Sequence, residues 1–218
     1  IHVHIFNASY LTELRMLDRM GEQVKALEMV QPIITGLEEL GPRLHKEYEL
    51  EFYFNLACVH FGANEVNRSL FWLNKVLNDP EPTLRQDIFT YARLFNLLVH
   101  YELGNNDLLE YIVRSTQRFL SKKQRAHQVE ILLIEHIKKL ARTTEPSAKR
   151  ELYRSLRDQM VKVLKDPNES LSLKYFDFLA WANSKVDGVP FAEEVKNVRA
   201  RETSAAKGCS VAGQRADV

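Results

Sequence analysis

The spacing of apolar residues constrains the fold of this chain more than any other feature of its sequence. In one segment after another, apolar side chains recur every three or four residues, which is the pattern of a helix with one buried face. Short stretches rich in Gly, Pro, Asn and Asp interrupt this pattern at intervals. The 218 residues include only 8 Gly and 7 Pro, so turn-forming residues are scarce elsewhere. The sequence therefore predicts an all-α protein.

The interruptions divide the chain into nine predicted helices. Their approximate bounds are 9–20, 22–40, 43–61, 65–77, 83–103, 108–120, 122–140, 147–164 and 170–186. Pro32 lies inside the second helix and is expected to kink or split it, because proline lacks the backbone N–H and clashes with the preceding turn. Asp107 and Ser147 are expected to cap their helices. Beyond Gly188 the apolar pattern ends, so residues 187–218 are expected to form a mostly disordered tail.

Similar spacing within successive helix pairs indicates internal repeats. The sequence Phe-Asn-Leu occurs at 54–56 and again at 95–97. Small or apolar residues at matching places in the following helices, Ala26, Ser69 and Leu109, are 43 and 40 residues apart. This pattern resembles the tetratricopeptide repeat. Through the stretches 71–80 and 87–104, the chain as a whole also resembles an uncharacterised group of bacterial proteins of that type.

The resemblance implies an α-solenoid of stacked antiparallel helix pairs over residues 8–186. The approximate repeats are 8–40, 43–80, 83–120 and 122–165, with a capping helix at 170–186 and the upstream end of a fragment at 1–7. The usual tetratricopeptide period is about 34 residues, so an armadillo-like or HEAT-like length of about 40–47 is an alternative. Such arrays bind other proteins or peptides in a concave groove, and this is the function that the resemblance implies.

The resemblance also implies groove residues. Asn55 and Asn96 occupy matching places in the repeated Phe-Asn-Leu sequence, where the corresponding Asn of tetratricopeptide domains faces the groove and bonds a peptide backbone. An amide suits this role because it both donates and accepts hydrogen bonds. Glu51, Cys58 and Val99 are expected on the same face. The alternative interpretation is a hydrogen bond between neighbouring helices.

The two halves of the chain differ in charge although the net charge is only +1. Residues 1–112 carry 9 Lys and Arg against 16 Asp and Glu, whereas residues 113–218 carry 21 against 13. The second half includes a basic cluster made of Arg114, Arg118, Lys122, Lys123 and Arg125. An acidic partner, head-to-tail self-association and solvated helix faces all explain this asymmetry. A nucleic-acid-associated regulator is therefore the alternative function.

No chemical motif suggests an enzyme. The sequence has no glycine-rich phosphate loop, nucleophile elbow or paired-cysteine metal motif, so we predict no catalytic residue, no cofactor and no metal. Its two cysteines, Cys58 and Cys209, do not form a disulfide framework. No apolar run reaches the ~20 residues of a membrane span, and no signal peptide is visible. The sequence therefore predicts a non-enzymatic, cytoplasmic interaction protein without a membrane partner.

The predicted helix 170–186 is apolar on more than one face. One side is expected to pack on the helix 147–164, which leaves Leu173 and Trp181 on the polar side. Residues 189–191 are expected to fold back over them, because Gly188 and Pro190 favour a turn. The alternative is an exposed patch that contacts a second chain.

Overall fold

The computed structural model describes residues 2–122 and 127–201, and all regular structure in this part of the chain is helical. The all-α prediction is confirmed for these residues. The helices are α1 (His2–Arg19), α2 (Gln23–Glu28), α3 (Val30–Leu40), α4 (Lys46–Gly62), α5 (Val66–Leu77), α6 (Gln86–Glu102), α7 (Asn106–Leu120), α8 (Gln128–Arg142), α9 (Pro146–Val163), α10 (Pro167–Ser170), α11 (Phe178–Asp187) and α12 (191–201). Two short 3-10 helices lie at Gly41–Arg43 and Leu171–Lys174.

Proline splits the second predicted helix, as expected. Helix α2 ends at Glu28, and the amide of Met29 bonds the carbonyl of Ala26 at 3.2 Å in a tighter turn. Pro32 is the third residue of α3. Its missing N–H costs nothing there, because the first amides of a helix have no partner within the helix.

Two predicted helix caps are wrong. Helix α7 begins one residue before Asp107, since Asn105 closes the preceding turn by bonding the carbonyl of His100 at 3.0 Å. Helix α9 begins at Pro146 rather than after Ser147, because proline is pre-organised for the first turn of a helix. In neither helix does the residue before the first turn accept a side-chain capping bond.

The same turn joins the helices of three successive pairs. Each copy has a residue in the left-handed conformation, which ends the first helix of the pair. These residues are Gly21, Asn64 and Gly104, with φ values of 70°, 62° and 71°. The next amide bonds a carbonyl five residues back, in the pairs Glu22–Leu17, Glu65–His60 and Asn105–His100, at 2.9, 2.8 and 3.0 Å. The turns are therefore 43 and 40 residues apart, which are the spacings seen in the sequence.

Helices α4 to α8 each pack against the next helix along the chain. Helix α4 also packs against α1 and α6, so the three lie side by side. We call the surface that they form the α1–α4–α6 face. The largest fully buried side chains include Phe52 of α4 and both Phe89 and Phe95 of α6, which places the core between these helices and their partners.

The ends of the chain differ from prediction. Residues 2–7 belong to α1 rather than preceding the helical array. The predicted helix 170–186 is broken, because Asp177 accepts a bond from the amide of Ala180 at 2.8 Å and so starts a new helix, α11. Helix α11 packs on α9, as predicted. Residues 191–201 of the predicted disordered tail are helical, and 202–218 lie outside the described residues.

Candidate functional site

A stretch that we call the crossing segment, residues 171–177, lies against the α1–α4–α6 face. Arg19 of α1 donates a hydrogen bond to the carbonyl of Lys174 at 2.7 Å. The Cys58 thiol of α4 donates to the carbonyl of Tyr175 at 3.8 Å. The Tyr175 hydroxyl in turn donates to Asp87 at the start of α6 at 2.8 Å. Each of the three helices thus holds the crossing segment through at least one polar contact.

Aromatic rings anchor the same segment. The Tyr175 ring stacks on Tyr91 of α6, with centroids 4.1 Å apart and planes within 12°. Phe176 is 3% exposed and stacks on Phe95 at 4.4 Å and on Phe191 at 5.1 Å. Such pairs add specific geometry to the burial of large apolar area. The face therefore already binds a segment of the chain through its aromatic side chains.

Contacts on both sides of the crossing segment keep it in place. The Glu169 carboxylate of α10 accepts bonds from the amides of Gln128 and Val129 at 3.0 and 3.1 Å. These amides open α8, where a negative group is favoured by the helix dipole. On the other side, Lys196 of α12 forms an ion pair with Glu22 at 3.2 Å, beside α1. The C-terminal part of the described chain thus runs from α8 back to the beginning of the array.

A cavity of about 210 Å³ remains open beside Tyr175, and we call it the basic cavity. Its lining comes from α1, α4, the start of α6 and the crossing segment. The lining residues are Arg15, Arg19, Glu51, Phe54, Asn55, Arg85, Ile88, Lys174 and Tyr175. Four of these residues are cationic, and Glu51 is the only carboxylate among them.

Two arginines share the carboxylate of Glu51. Arg15 forms an ion pair with it, and Arg85 bonds its other oxygen at 3.1 Å. Arg85 also binds Asp87 through two bonds, at 3.0 and 2.8 Å. Burial alone would raise the pKa of Asp87, but the hydrogen bonds from Arg85 and Tyr175 outweigh it and lower the pKa to about 2. Burial, together with the nearby charges of Arg19 and Arg85, lowers the pKa of Arg15.

The structure brings three of the predicted site residues to this region. Asn55 and Glu51 line the basic cavity, and the Asn55 side chain donates to the carbonyl of Glu51 at 2.7 Å. Cys58 is buried behind them against Tyr175, and burial raises the pKa of its thiol well above the ordinary value. The Asn55 side-chain nitrogen donates to a carbonyl of its own helix, whereas no described residue donates to the Asn55 side-chain oxygen.

The other two predicted site residues do not reach this cavity. Asn96 is only 9% exposed and Val99 is fully buried, so the two asparagines do not share one open surface. The repeated turns show the reason, because at a spacing of 40 residues position 55 corresponds to Phe95 and not to Asn96. A shift of one residue rotates a side chain by about 100° around a helix. The repeated Phe-Asn-Leu sequence has a spacing of 41 and is therefore out of register with the turns.

The predicted basic cluster is described only in part. Arg114, Arg118 and Lys122 are exposed, and Lys123 and Arg125 lie outside the described residues. Arg114 forms an ion pair with Glu110 at 3.0 Å. Arg142 of α8 reaches the same carboxylate at 3.1 Å, so Glu110 offsets part of the positive charge between α7 and α8.

Sequence reasoning missed the cations of the basic cavity. Arg15 and Arg19 are four residues apart and share one face of α1, which is the only local signal. Nothing in the sequence brings Arg85 beside them. Lys174 lies in the predicted continuous helix 170–186, and only the break of that helix brings it to the rim of the cavity, where it stays exposed.

No protein-family model, curated protein or solved structure matches this chain. The resemblance to tetratricopeptide proteins therefore stays a prediction. In residues 2–122 and 127–201, no helix combines the length and the apolar character needed to cross a bilayer. The same residues hold no group of three His, Cys, Asp or Glu side chains placed to share a metal ion.

Asp18 lines a smaller neighbouring cavity, and we expect Asp18→Asn to stabilise the protein at neutral pH by about 1–2 kcal/mol. Burial raises the pKa of Asp18 to about 6. The folded chain then binds this proton more tightly than the unfolded chain, so protonation of Asp18 favours the folded state. This contribution to the free energy of unfolding is lost as the pH rises from about 4 to about 6. Asparagine resembles the protonated carboxyl and can still accept the bond from Gln23 at 3.0 Å.

Urea unfolding of both proteins between pH 4 and pH 8 tests this prediction. The stability difference should be near zero at pH 4 and should grow to its full value by pH 7. Glu135→Gln removes an exposed carboxylate and controls for the change in net charge. A difference that does not vary with pH would show that Asp18 titrates normally.

Proposed function

We propose that this protein is a non-enzymatic interaction module that holds a peptide or helix of another protein on the α1–α4–α6 face. We also infer that the helix pairs stack as a tetratricopeptide-like solenoid and that the α1–α4–α6 face lines its concave groove. One observation supports the proposal most directly. The face already accommodates the crossing segment of the chain itself, which includes a short 3-10 helix, through aromatic stacking and through bonds to its main-chain carbonyl groups. These are the interactions by which grooves bind peptides.

We propose that the partner lies beside the crossing segment and does not replace it. Phe176 is packed among four other phenylalanine rings, so its removal from the face would expose a large apolar area. The basic cavity, in contrast, is open and borders the same segment. The Asn55 oxygen can accept a hydrogen bond there from the backbone N–H of a bound peptide.

We expect Asn55→Ala to weaken the binding of peptides selected from a random displayed library by about five-fold, the effect of one hydrogen bond of about 1 kcal/mol. The full chain is used for selection, and affinities are measured by calorimetry. Asn74→Ala is the matched control, because Asn74 is an exposed helical asparagine on α5, and it should leave the affinity unchanged.

Hydrogen exchange of the complex shows where the peptide binds. Protection of α1 and α4 with no loss of protection at 171–177 is the expected result. Release of the crossing segment would mean that the peptide replaces it. Equal affinities for the wild type and Asn55→Ala, with protection elsewhere, would contradict the proposed face.

A nucleic-acid-associated role for the basic half is the second candidate function. It is favoured by the exposed side chains of Arg118 and Lys122, which have no ion-pair partner within the described residues. Binding to a mixed nucleic-acid pool should then fall steeply with salt, because phosphate contacts release counterions. Binding that is absent at low salt would exclude this candidate.

A further inference from the structure

Cations from three distant parts of the chain converge on the basic cavity. Arg15 and Arg19 project from α1, Arg85 precedes α6, and Lys174 belongs to the crossing segment. They lie up to 159 positions apart in the sequence, so the fold and not local sequence assembles them. Like charges placed together in this way repel each other unless an anion lies between them.

The carboxylates nearby offset only part of this charge. Glu51 lines the cavity, and Asp87 binds Arg85 at its edge, which leaves an excess of two positive charges. Two further carboxylates, Asp18 and Asp177, line the smaller neighbouring cavity. Arg199 lines the same smaller cavity and supplies a positive charge there. Asp18 accepts a bond from Gln23 at 3.0 Å, and Asp177 accepts one from the amide of Ala180 at 2.8 Å.

Two of the four cations keep donors available. The Lys174 ammonium is exposed and forms no ion pair with any described residue. Arg19 uses one guanidinium nitrogen to bond the carbonyl of Lys174, at 2.7 Å. A guanidinium has five N–H donors in a planar fork, so most of those on Arg19 remain free.

We propose that the basic cavity binds the phosphate monoester of a phosphorylated partner segment, with Arg19 and Lys174 as its direct contacts. A phosphate monoester carries about 1.5 to 2 negative charges at neutral pH, which matches the excess of two positive charges. The single charge of a carboxylate would offset only half of this positive excess. Guanidinium forks bind phosphate oxygens in pairs, and the lysine adds a point charge. This inference rests on the proposed function, because it names the chemistry of the partner that the face receives.

Calorimetry with the full chain and inorganic phosphate as the probe tests the site itself. We expect saturable phosphate binding at pH 7.5, and acetate should bind at least about ten-fold more weakly because it carries one charge. Lys174→Gln should weaken phosphate binding by about ten-fold, and Arg19→Gln by a similar factor. Lys174→Gln removes a side chain with no described partner, so a loss of binding in that variant does not report unfolding.

Matched variants elsewhere separate this site from general charge effects. Arg114→Gln and Lys138→Gln remove cations from the groove between α7 and α8, and they should leave phosphate binding unchanged. Equal losses in both sets of variants would overturn the site. Binding that Lys174→Gln and Arg19→Gln do not weaken would overturn it as well.

A pair of peptides that differ only in one phosphate tests the source of the group. A peptide selected on the face should bind more tightly by at least about ten-fold when a serine beside its contact residues is phosphorylated. If unphosphorylated peptides bind in an Asn55-dependent way but neither phosphate nor the phosphopeptide binds the cavity, this inference is wrong and the proposed function stands. If phosphate binds the cavity but no peptide binds the face, the partner proposal fails and the group comes from a small molecule.

Discussion

Replacement of Trp181 by alanine is expected to lower the free energy of unfolding by about 3–5 kcal/mol. The Trp181 side chain is fully buried, with its ring edge-on to Tyr101 at 6.2 Å and to Tyr153 at 5.7 Å. Its indole N–H donates to Glu102 at 2.7 Å. Alanine would leave a large cavity between α6, α9 and α11. Because domains of this size have net stabilities of about 5–15 kcal/mol, the loss is a large fraction of the total.

Urea unfolding at pH 7 measures this loss. Tyr111→Ala is the matched control, since Tyr111 is 69% exposed on α7, and its effect should stay within about 0.5 kcal/mol. Trp181→Phe should recover part of the lost stability because it keeps one ring in the pocket. An unchanged unfolding midpoint for Trp181→Ala would mean that the side chain is not buried between these helices.

A chain that ends at Asp166 is expected to lose its cooperative unfolding transition. It lacks Phe176, and therefore leaves Phe61 and Phe95 without the rings that cover them. It also lacks Glu169, so the first amides of α8 lose their acceptor. Each exposed aromatic ring costs several kcal/mol, and together these losses approach the whole net stability of a domain.

Thermal melts followed by circular dichroism, together with size-exclusion chromatography, test the truncation. A chain that ends at residue 201 is the control, because it retains every contact described above and should melt at the wild-type temperature. Phe176→Ala in the full chain should lower stability by about 3–5 kcal/mol, between these two extremes. A cooperative melt at the wild-type temperature for the shorter chain would show that residues 167–201 do not stabilise the rest of the array.

The C-terminal residues change how the array is held together. In a simple repeat protein each unit contacts only its neighbours, and stability is a sum of local terms. Here residues 167–201 contact α8 through Glu169, α6 through Tyr175 and the region of α1 through Lys196. Such long-range contacts couple the first helices to the last, so we expect a single unfolding transition and not separate ones.

The buried tryptophan also decides between the two interpretations of the predicted helix 170–186. Trp181 is covered by Tyr101 and Tyr153, so it does not form an exposed patch for a second chain. The chain does fold back at Pro190, as predicted, but Phe191 covers Phe61 and Phe176 instead. The sequence could not tell these outcomes apart, because a helical pattern shows how apolar a face is and not what covers it.

Local features of the sequence determined the helical class, the break near Pro32 and the positions of the repeated turns. Each depends on residues close together in the chain: apolar spacing, a missing backbone N–H, and residues such as Gly21 and Gly104 that adopt the left-handed conformation. Their energies are set within one or two helical turns. Neighbouring residues therefore suffice to predict them.

Tertiary structure alone decided which side chains meet. The one-residue difference between the repeated Phe-Asn-Leu sequence and the repeated turns left Asn55 at the cavity and buried Asn96. The crossing segment broke a helix that its apolar pattern favoured, because aromatic contacts with α4 and α6 outweigh the local preference for helix. Arg19 and Lys174 meet only because the chain returns to its first helix, and such contacts depend on packing between helices that no local pattern encodes.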